Sequence, residues 1–294
     1  MTKISRVNSL IICLSGYIFV FAVICFLFEL TGPPNNILLV TLVMDLVATF
    51  LIFLLSLIFN NSSFYDPYWS LAPIPILLVW YTHTEVPAMD RDRQWIIIAL
   101  VFIWACRLTF NWMRRWKGLG DEDWRYARYR SYPSTLYWLI SLAGFHVLPT
   151  LVVFAGCLSL YPVMCRMTEP LQITDAIALI ITLSGIAIEM AADKQLTNFL
   201  RNNTDKAFLS GGLWKYSRHP NYFGEILFWT GLFIFSLQTE TFYWYTLTGP
   251  IAMILMFSLI SVPMMDKRML ERKPGYAEYA KKTSALVLWR RKNR

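Results

Sequence analysis

Long apolar runs recur along almost the whole chain, and they constrain its fold more than any other feature of the sequence. A membrane-spanning helix needs about 20 apolar residues, with a usual range of about 17–25. Runs that approach or exceed this length cover residues 8–30, 37–60, 70–86, 94–113, 134–161, 172–191, 222–238 and 247–265. These runs are continuous and do not alternate with polar residues, so they predict helices and not the strands of a membrane β-barrel.

The composition supports the same interpretation. Apolar and aromatic residues make up 56% of the 294 residues, charged residues only 16%, and the mean hydropathy is +0.45. A soluble domain has about 45–50% apolar and about 25% charged residues, and a chain of this size lacks the interior to bury the excess. We therefore expect an all-α, polytopic integral membrane helix bundle with about 7–8 transmembrane helices. It should form a single membrane domain over residues 1–294.

The basic residues predict how the bundle is oriented. Eight spans place both termini and the loops 61–69, 114–133 and 192–221 on one side of the membrane. That side carries 23 of the 27 Lys and Arg residues, the other side carries three, and Arg107 lies within a span. Cytosolic loops are the basic ones, so this side is predicted to be cytosolic. The net charge of +8 then indicates contact with membrane lipids and not with nucleic acid. An endoplasmic reticulum membrane and a bacterial inner membrane are both compatible with this pattern.

A carboxyl group stands at the entrance to the proline-bearing third run. Asp66 lies among aromatic residues there, with Tyr68 close behind it. Desolvation at a membrane boundary raises the pKa of a carboxyl group, so Asp66 is a candidate proton donor. The alternative is an ordinary helix start with interfacial aromatic residues.

A basic region follows the fourth run. Arg107 lies near the end of that run, and residues 114–130 then mix arginine, acidic and aromatic side chains. Arginine can bind phosphate through two parallel hydrogen bonds. A solvated basic loop is the alternative interpretation.

The richest polar region runs from the sixth span to the start of the seventh. Arg218 and His219 directly precede Pro220, which suits the first turn of a helix, and a helix N-terminus binds anions through its free amides. Asn221 and Glu225 are four residues apart and share a helix face. The candidate cofactor-binding residues of this region are Asp193, Arg201, Tyr216, Arg218, His219, Asn221, Tyr222 and Glu225.

The tail and the cysteines bear on two further kinds of site. Residues 266–279, directly after the last span, have the composition of a charged amphipathic surface helix. None of the five cysteines stands in a metal-binding spacing, so no metal site is expected.

Residues 211–225, Gly-Gly-Leu-Trp-Lys-Tyr-Ser-Arg-His-Pro-Asn-Tyr-Phe-Gly-Glu, resemble the C-terminal domain of the steroid 5-alpha-reductase superfamily. The resemblance extends over about residues 100–289 and is greatest to a reductase-like branch of membrane proteins. It implies NADPH held on the cytosolic side by the C-terminal helices. The residues that match the family's cofactor positions are Arg107, Asp193, Arg201, Asn221 and Glu225. Asp66, aligned through Pro73, matches a carboxylate that polarises the substrate carbonyl.

The chain departs from this family at two positions. Trp104 stands where the family has a catalytic tyrosine, and Asp266 stands where it has a tyrosine near the tail, which makes Asp266 a candidate cofactor-binding residue. Tyr65 or Tyr68 is a candidate replacement for the missing phenol.

These observations together favour one function over two others. We expect a membrane-embedded, NADPH-dependent oxidoreductase that reduces a polarised C=C bond, in a CH–CH group, of a steroid or another lipid-soluble substrate. The alternative is an S-adenosylmethionine-dependent lipid or isoprenylcysteine-type methyltransferase, because such enzymes share the Arg-His-Pro-like segment. A non-catalytic scaffold or transporter is the third possibility. A transporter predicts inverted repeats or mid-membrane charges, whereas the polar groups identified above cluster at one membrane face.

Overall fold

Helices account for all regular secondary structure in the described part of the chain. The computed structural model describes residues 4–32, 34–84, 87, 91–202, 207–238 and 242–290, and no β-strand occurs among them. Within these residues, six helices are long and apolar enough to cross a membrane: Arg6–Leu30, Ile37–Ile58, Asp92–Arg115, Ser134–Leu158, Ile173–Asn202 and Trp244–Arg272. The protein is therefore a multi-pass helical membrane protein, and the predicted fold class is confirmed.

The chain divides into two compact units. Unit 1 comprises the described residues of Met1–Cys157 together with Met164–Arg166, and unit 2 comprises those of Leu158–Val163 and Met167–Arg294. The helices up to the end of the fourth span are α1 (Arg6–Leu30), α2 (Ile37–Ile58), α3 (Tyr68–Leu71), α4 (Pro73–Thr82), α5 (Asp92–Arg115), α6 (Trp124–Ala127), α7 (Ser134–Ile140) and α8 (Leu148–Leu158). The later helices are α9 (Tyr161–Cys165), α10 (Ile173–Asn202), α11 (Pro220–Phe235), α12 (Thr248–Leu255), α13 (Val262–Arg272) and α14 (Tyr276–Lys282). A single domain over residues 1–294, with a cofactor-binding region at 100–289, stays a prediction.

Two of the eight expected spans are shorter helices than predicted. The run 70–86 forms α3 and the ten-residue α4, and its residues 85 and 86 lie outside the described residues. Pro73 has no N–H group to continue the hydrogen bonding of α3, so a new helix begins there. The run 222–238 forms the 16-residue α11, and the 3₁₀ turn Ser236–Gln238 follows it. Of the about 7–8 spanning helices expected, six are long and apolar enough to cross a membrane among the described residues.

Two of the long helices contain a π-helical segment. Ser141–Val147 lies between α7 and α8, and Met256–Ser261 lies between α12 and α13. π-helical turns are rare and frequently occur at functional sites. The first segment carries the buried His146, and the second carries the buried Phe257, whose ring stacks on that of Tyr222.

Glycines allow α10 and α11 to pack with their backbones close together. A Cβ atom at Gly185 would lie 2.6 Å from the carbonyl oxygen of Gly224, and one at Gly231 would overlap Thr182. At Gly224, a Cβ atom would lie 2.6 Å from Cγ of the buried Glu189. Small residues let membrane helices approach in this way. The close packing of α10 and α11 places Glu189 beside the first half of α11. The candidate residues Asn221, Tyr222 and Glu225 lie in that half.

Candidate functional site

Asp266 is the centre of a polar cluster in unit 2. Its Oδ2 lies 2.9 Å from Nη1 of Arg218, and its Oδ1 lies 3.1 Å from Nε2 of His219. The Tyr276 hydroxyl donates to the same Oδ1 at 2.6 Å. We refer to Arg218, His219, Asp266 and Tyr276 as the Asp266 cluster. A carboxylate that meets three donors, one of them a guanidinium, forms charge-assisted hydrogen bonds and fixes the three donors in place.

The tail of the chain holds the segment that carries Arg218 and His219. The amide of Arg218 donates to the carbonyl of Ser284 at 2.8 Å, and the amide of Trp289 donates to the carbonyl of Tyr216 at 3.2 Å. The Tyr279 hydroxyl donates to the carbonyl of Trp214 at 2.5 Å. These contacts correct the interpretation of residues 266–279 as a surface helix, because Tyr276 and Tyr279 are buried against the preceding loop.

An aromatic stack extends the Asp266 cluster along α11. The rings of His219 and Tyr222 lie nearly parallel with centroids 5.2 Å apart, and Tyr222 stacks in turn on Phe257 at 4.7 Å. Pro220 begins α11 between them and needs no hydrogen-bond partner for its nitrogen. The stack fixes the plane of the imidazole whose Nε2 faces Asp266.

Two buried polar atoms in this region have no hydrogen-bond partner in the described structure. They are Nε of Arg218 and Oδ1 of Asn221. Buried polar groups are nearly always paired, so unpaired atoms indicate a position where a ligand or water belongs. One of these atoms is a donor and the other an acceptor, and their residues are only three positions apart in the sequence.

The remaining candidate residues of unit 2 lie in different surroundings. Glu225 is buried and accepts a hydrogen bond from Nε1 of Trp229 at 3.0 Å, and Asp193 is half-buried on α10. Tyr216 is 41% exposed, and Arg201 is exposed near the end of α10. In the described residues, no hydrogen bond or ion pair joins Arg201 to the Asp266 cluster.

Tyr276 is a donor that the sequence analysis missed. Burial raises the pKa of its phenol, and the hydrogen bond to Asp266 raises it further, so Tyr276 remains protonated at physiological pH. The spacing of Tyr276 and Tyr279, three residues apart on one helix face, was the available signal. It was not used because the charged neighbours of both residues favour a solvated helix.

Asp66 forms a second polar cluster, in unit 1. Its Oδ1 accepts from the Tyr126 hydroxyl at 2.6 Å and lies 3.1 Å from Nη2 of Arg125, whose Nε contacts Asp123 at 2.8 Å. Burial raises the pKa of Asp66 from its ordinary value of 3.8 to about 6, although Arg125 opposes the shift. A carboxyl group with this pKa is partly protonated near neutral pH, as its expected role as a proton donor requires.

We expect Asp66→Asn to change how the stability of the protein depends on pH. Because the folded protein raises the pKa of Asp66, this group stabilises the fold fully below about pH 4, and the contribution is lost as the pH rises through about 6. The loss amounts to about 3 kcal/mol at most. Asparagine does not titrate, so the variant does not share this loss. The melting temperature of the variant should therefore rise relative to that of the wild type as the pH increases from about 4 to about 8. Parallel curves for the two proteins would contradict the prediction.

Tyr68 is hydrogen-bonded to the buried carboxyl group of Asp45 in unit 1. Its hydroxyl donates to Oδ1 of Asp45 at 2.6 Å, and burial raises the pKa of this phenol well above its ordinary value. Asp45 is not among the residues predicted from the sequence, all of which were chosen from polar groups in the loops or near the ends of the apolar runs. An acidic residue inside the apolar run 37–60 was the available signal. Asp45 also corrects the view that the polar groups cluster at one membrane face.

Two more residues named from the sequence lie on α5 of unit 1. Arg107 is half-buried, whereas the other candidate cofactor-binding residues belong to unit 2. Trp104 is fully buried, and its ring meets Trp69 edge-on at 5.8 Å.

A family profile and a yeast protein each match most of this chain. The sequence profile of the family described as "Protein of unknown function (DUF1295)" matches residues 52–283. An uncharacterized protein of Schizosaccharomyces pombe is 26% identical over 246 residues, which cover 76% of this chain and 71% of the yeast protein. No solved structure matches the chain. The profile covers both the Asp66 region and the Asp266 cluster, and the protein therefore belongs to the DUF1295 family.

Proposed function

We propose that this protein is an NADPH-dependent membrane reductase that reduces a polarised C=C bond of a lipid-soluble substrate. One observation carries the proposal. The Asp266 cluster and α11 hold a guanidinium, an imidazole and an aromatic stack together, next to two buried polar atoms that have no partner. The resemblance of residues 211–225 to the steroid 5-alpha-reductase superfamily assigns this same region to the cofactor.

The residues of this region fit the chemical groups of NADPH. The Arg218 guanidinium and the free amides at the start of α11 suit phosphate oxygens. The unpaired Oδ1 of Asn221 suits an amide N–H, such as that of a nicotinamide carboxamide. The basic loops around this region are predicted to be cytosolic, where NADPH is present.

The residues of each unit then have separate tasks. NADPH, when bound, would supply a hydride to one carbon of the C=C bond, and the other carbon would take up a proton from water. In unit 2, Asp266 holds the Arg218 and His219 side chains in a fixed arrangement before the ligand arrives. In unit 1, Asp66 in its neutral form donates a hydrogen bond to the carbonyl oxygen of the substrate, which stabilises the negative charge that develops there. Tyr68 is the second catalytic residue predicted from the sequence, but its one hydroxyl hydrogen is donated to Asp45, so it can donate to the substrate only when that hydrogen bond is broken.

Ligand-dependent melting of the purified full-length protein in detergent tests the proposal. A ligand at 100 times its dissociation constant stabilises the folded state by roughly 2.7 kcal/mol, which is a measurable shift in melting temperature. We expect NADPH to stabilise the protein, and NADH and S-adenosylmethionine to leave it unchanged. Stabilisation by S-adenosylmethionine alone would overturn the proposal in favour of the methyltransferase. No shift with any of the three would favour a non-catalytic membrane protein.

A further inference from the structure

A group of exposed apolar and basic side chains lies where the tail of the chain runs beside the segment before α11. We call it the tail surface, and its members are Lys215, Tyr216, Val287, Trp289 and Arg290. All five residues are exposed, Val287 by 51% and Trp289 by 69%. Both segments belong to unit 2, so the tail surface lies within one compact unit.

Backbone hydrogen bonds hold the two segments of the tail surface together. The Trp289 amide donates to the carbonyl of Tyr216 at 3.2 Å, and the Arg218 amide donates to the carbonyl of Ser284 at 2.8 Å. These two contacts fix the tail on both sides of Val287. The side chains of Val287 and Trp289 are therefore kept at the surface by the backbone and cannot withdraw into the interior of unit 2.

The apolar members of the tail surface are in an unfavourable position if they face water. Val287 and Trp289 lie outside the six spanning helices, so the lipid around those helices does not account for their exposure. Burial of apolar area is favourable, and tryptophan and tyrosine are enriched where a membrane meets water. The tail follows the last spanning helix after only the short α14. The interfacial layer of the membrane is thus the environment that suits these side chains.

The basic members of the tail surface indicate which lipids lie in that layer. Nζ of Lys215 lies 5.9 Å from the centre of the Tyr216 ring. Among the described residues, neither Lys215 nor Arg290 has an acidic partner. Three of the four residues that follow Arg290 in the sequence are also basic. Basic clusters close to a membrane helix are attracted to anionic lipids, which carry the complementary charge.

We propose that the tail surface docks on the anionic lipid headgroups of the leaflet next to the start of α11. Lys215 and Arg290 donate to lipid phosphate oxygens, while Val287 and the Trp289 indole enter the interfacial layer. This inference goes beyond the proposed function, and its test requires neither a cofactor nor a substrate. A surface for a soluble protein partner would instead remain in water when the purified protein is placed in vesicles.

A fluorescent label at residue 287 tests this contact. Cys25 and Cys106 are the exposed cysteines, so both are first replaced by alanine. Val287→Cys is then labelled with nitrobenzoxadiazole, and the full-length protein is reconstituted into vesicles. One set contains phosphatidylcholine alone, and the other contains equal parts of phosphatidylcholine and phosphatidylglycerol. In the anionic vesicles we expect emission at shorter wavelength and stronger quenching by brominated lipid. High salt should reduce both differences, because it screens the attraction between charges.

A label on α14 is the matched control. Glu278 pairs with Lys281 at 2.9 Å, and both side chains are exposed, so this face of α14 suits water. Labelled Glu278→Cys should have the same emission in both kinds of vesicle. Emission at residue 287 that equals this control would overturn the inference. An equal shift at residue 287 in both kinds of vesicle would overturn it too, because charge would then have no part in the contact.

Charge variants in the labelled Val287→Cys protein identify the residues that bind the lipid. We expect Lys215→Ser combined with Arg290→Ser to lose most of the difference between the two kinds of vesicle. Lys281→Ser combined with Lys282→Ser removes the same charge from α14 and should keep the difference. Equal effects of the two double variants would overturn the assignment of the tail surface. Melting of each protein in detergent checks that the substitutions leave the fold intact.

Discussion

Asp266→Asn is expected to weaken NADPH binding by roughly 30- to 100-fold, which corresponds to about 2–3 kcal/mol. The carboxylate of Asp266 accepts from Arg218, His219 and Tyr276 at once. An amide has one acceptor oxygen, and its NH₂ group would face the donors of a neighbouring residue. The variant therefore keeps the shape of the side chain but releases at least one residue of the proposed phosphate-binding group.

A nearby exposed carboxylate provides the control for this prediction. Glu278 on α14 pairs with Lys281 at 2.9 Å, and both side chains are exposed. An exposed ion pair contributes little to the stability of the fold. Glu278→Gln should therefore bind NADPH as the wild type does. The dissociation constants of the three proteins can be compared by ligand-dependent melting. Wild-type affinity in Asp266→Asn, or a similar loss in Glu278→Gln, would contradict the assignment of the Asp266 cluster to the cofactor.

Gly185→Leu is expected to destabilise unit 2 by about 3 kcal/mol or more. A Cβ atom at this position would lie 2.6 Å from both the Gly224 carbonyl oxygen and the Phe228 nitrogen. Both atoms belong to the backbone of α11, so no side-chain rotation can relieve the overlap. The helices must separate, which removes packing that stabilises membrane bundles.

Gly144→Leu is the matched control for this substitution. Gly144 also lies in a membrane-spanning helix, but no atom lies within 4 Å of the position of its added Cβ. We expect its effect on stability to remain within about 0.5 kcal/mol. Denaturant unfolding in detergent compares the two variants. Equal stabilities would contradict the close approach of α10 and α11.

The spans of the bundle could largely be predicted from the sequence, because the cost of exposing polar backbone to lipid leaves helices as the outcome for long apolar runs. The exceptions have local causes. Pro73 breaks the third run, and the seventh run is completed by a 3₁₀ turn after Phe235. Apolar length alone does not reveal where backbone hydrogen bonding changes its pattern.

The candidate site was predicted in part. Arg218 and His219 stand out because they precede a helix start, which is a local property of the sequence. The contact of Tyr276 with Asp266 depends on how the tail folds back, and a charged helix has the same periodicity whether or not one face is buried. Asp45 could have been found from its position alone, because it is an acidic residue inside an apolar run.

The segment from Asp266 to Ser284 is anchored at both ends to one residue, Arg218. The Asp266 side chain holds the guanidinium, and the Ser284 carbonyl holds the amide of the same residue. Adding or removing residues between the two anchors would detach one of them. Relatives of this protein should therefore differ in length elsewhere and keep this interval constant. A chimera between two relatives should exchange residues 216–219 and 266–284 together, because neither stretch keeps its arrangement without the other.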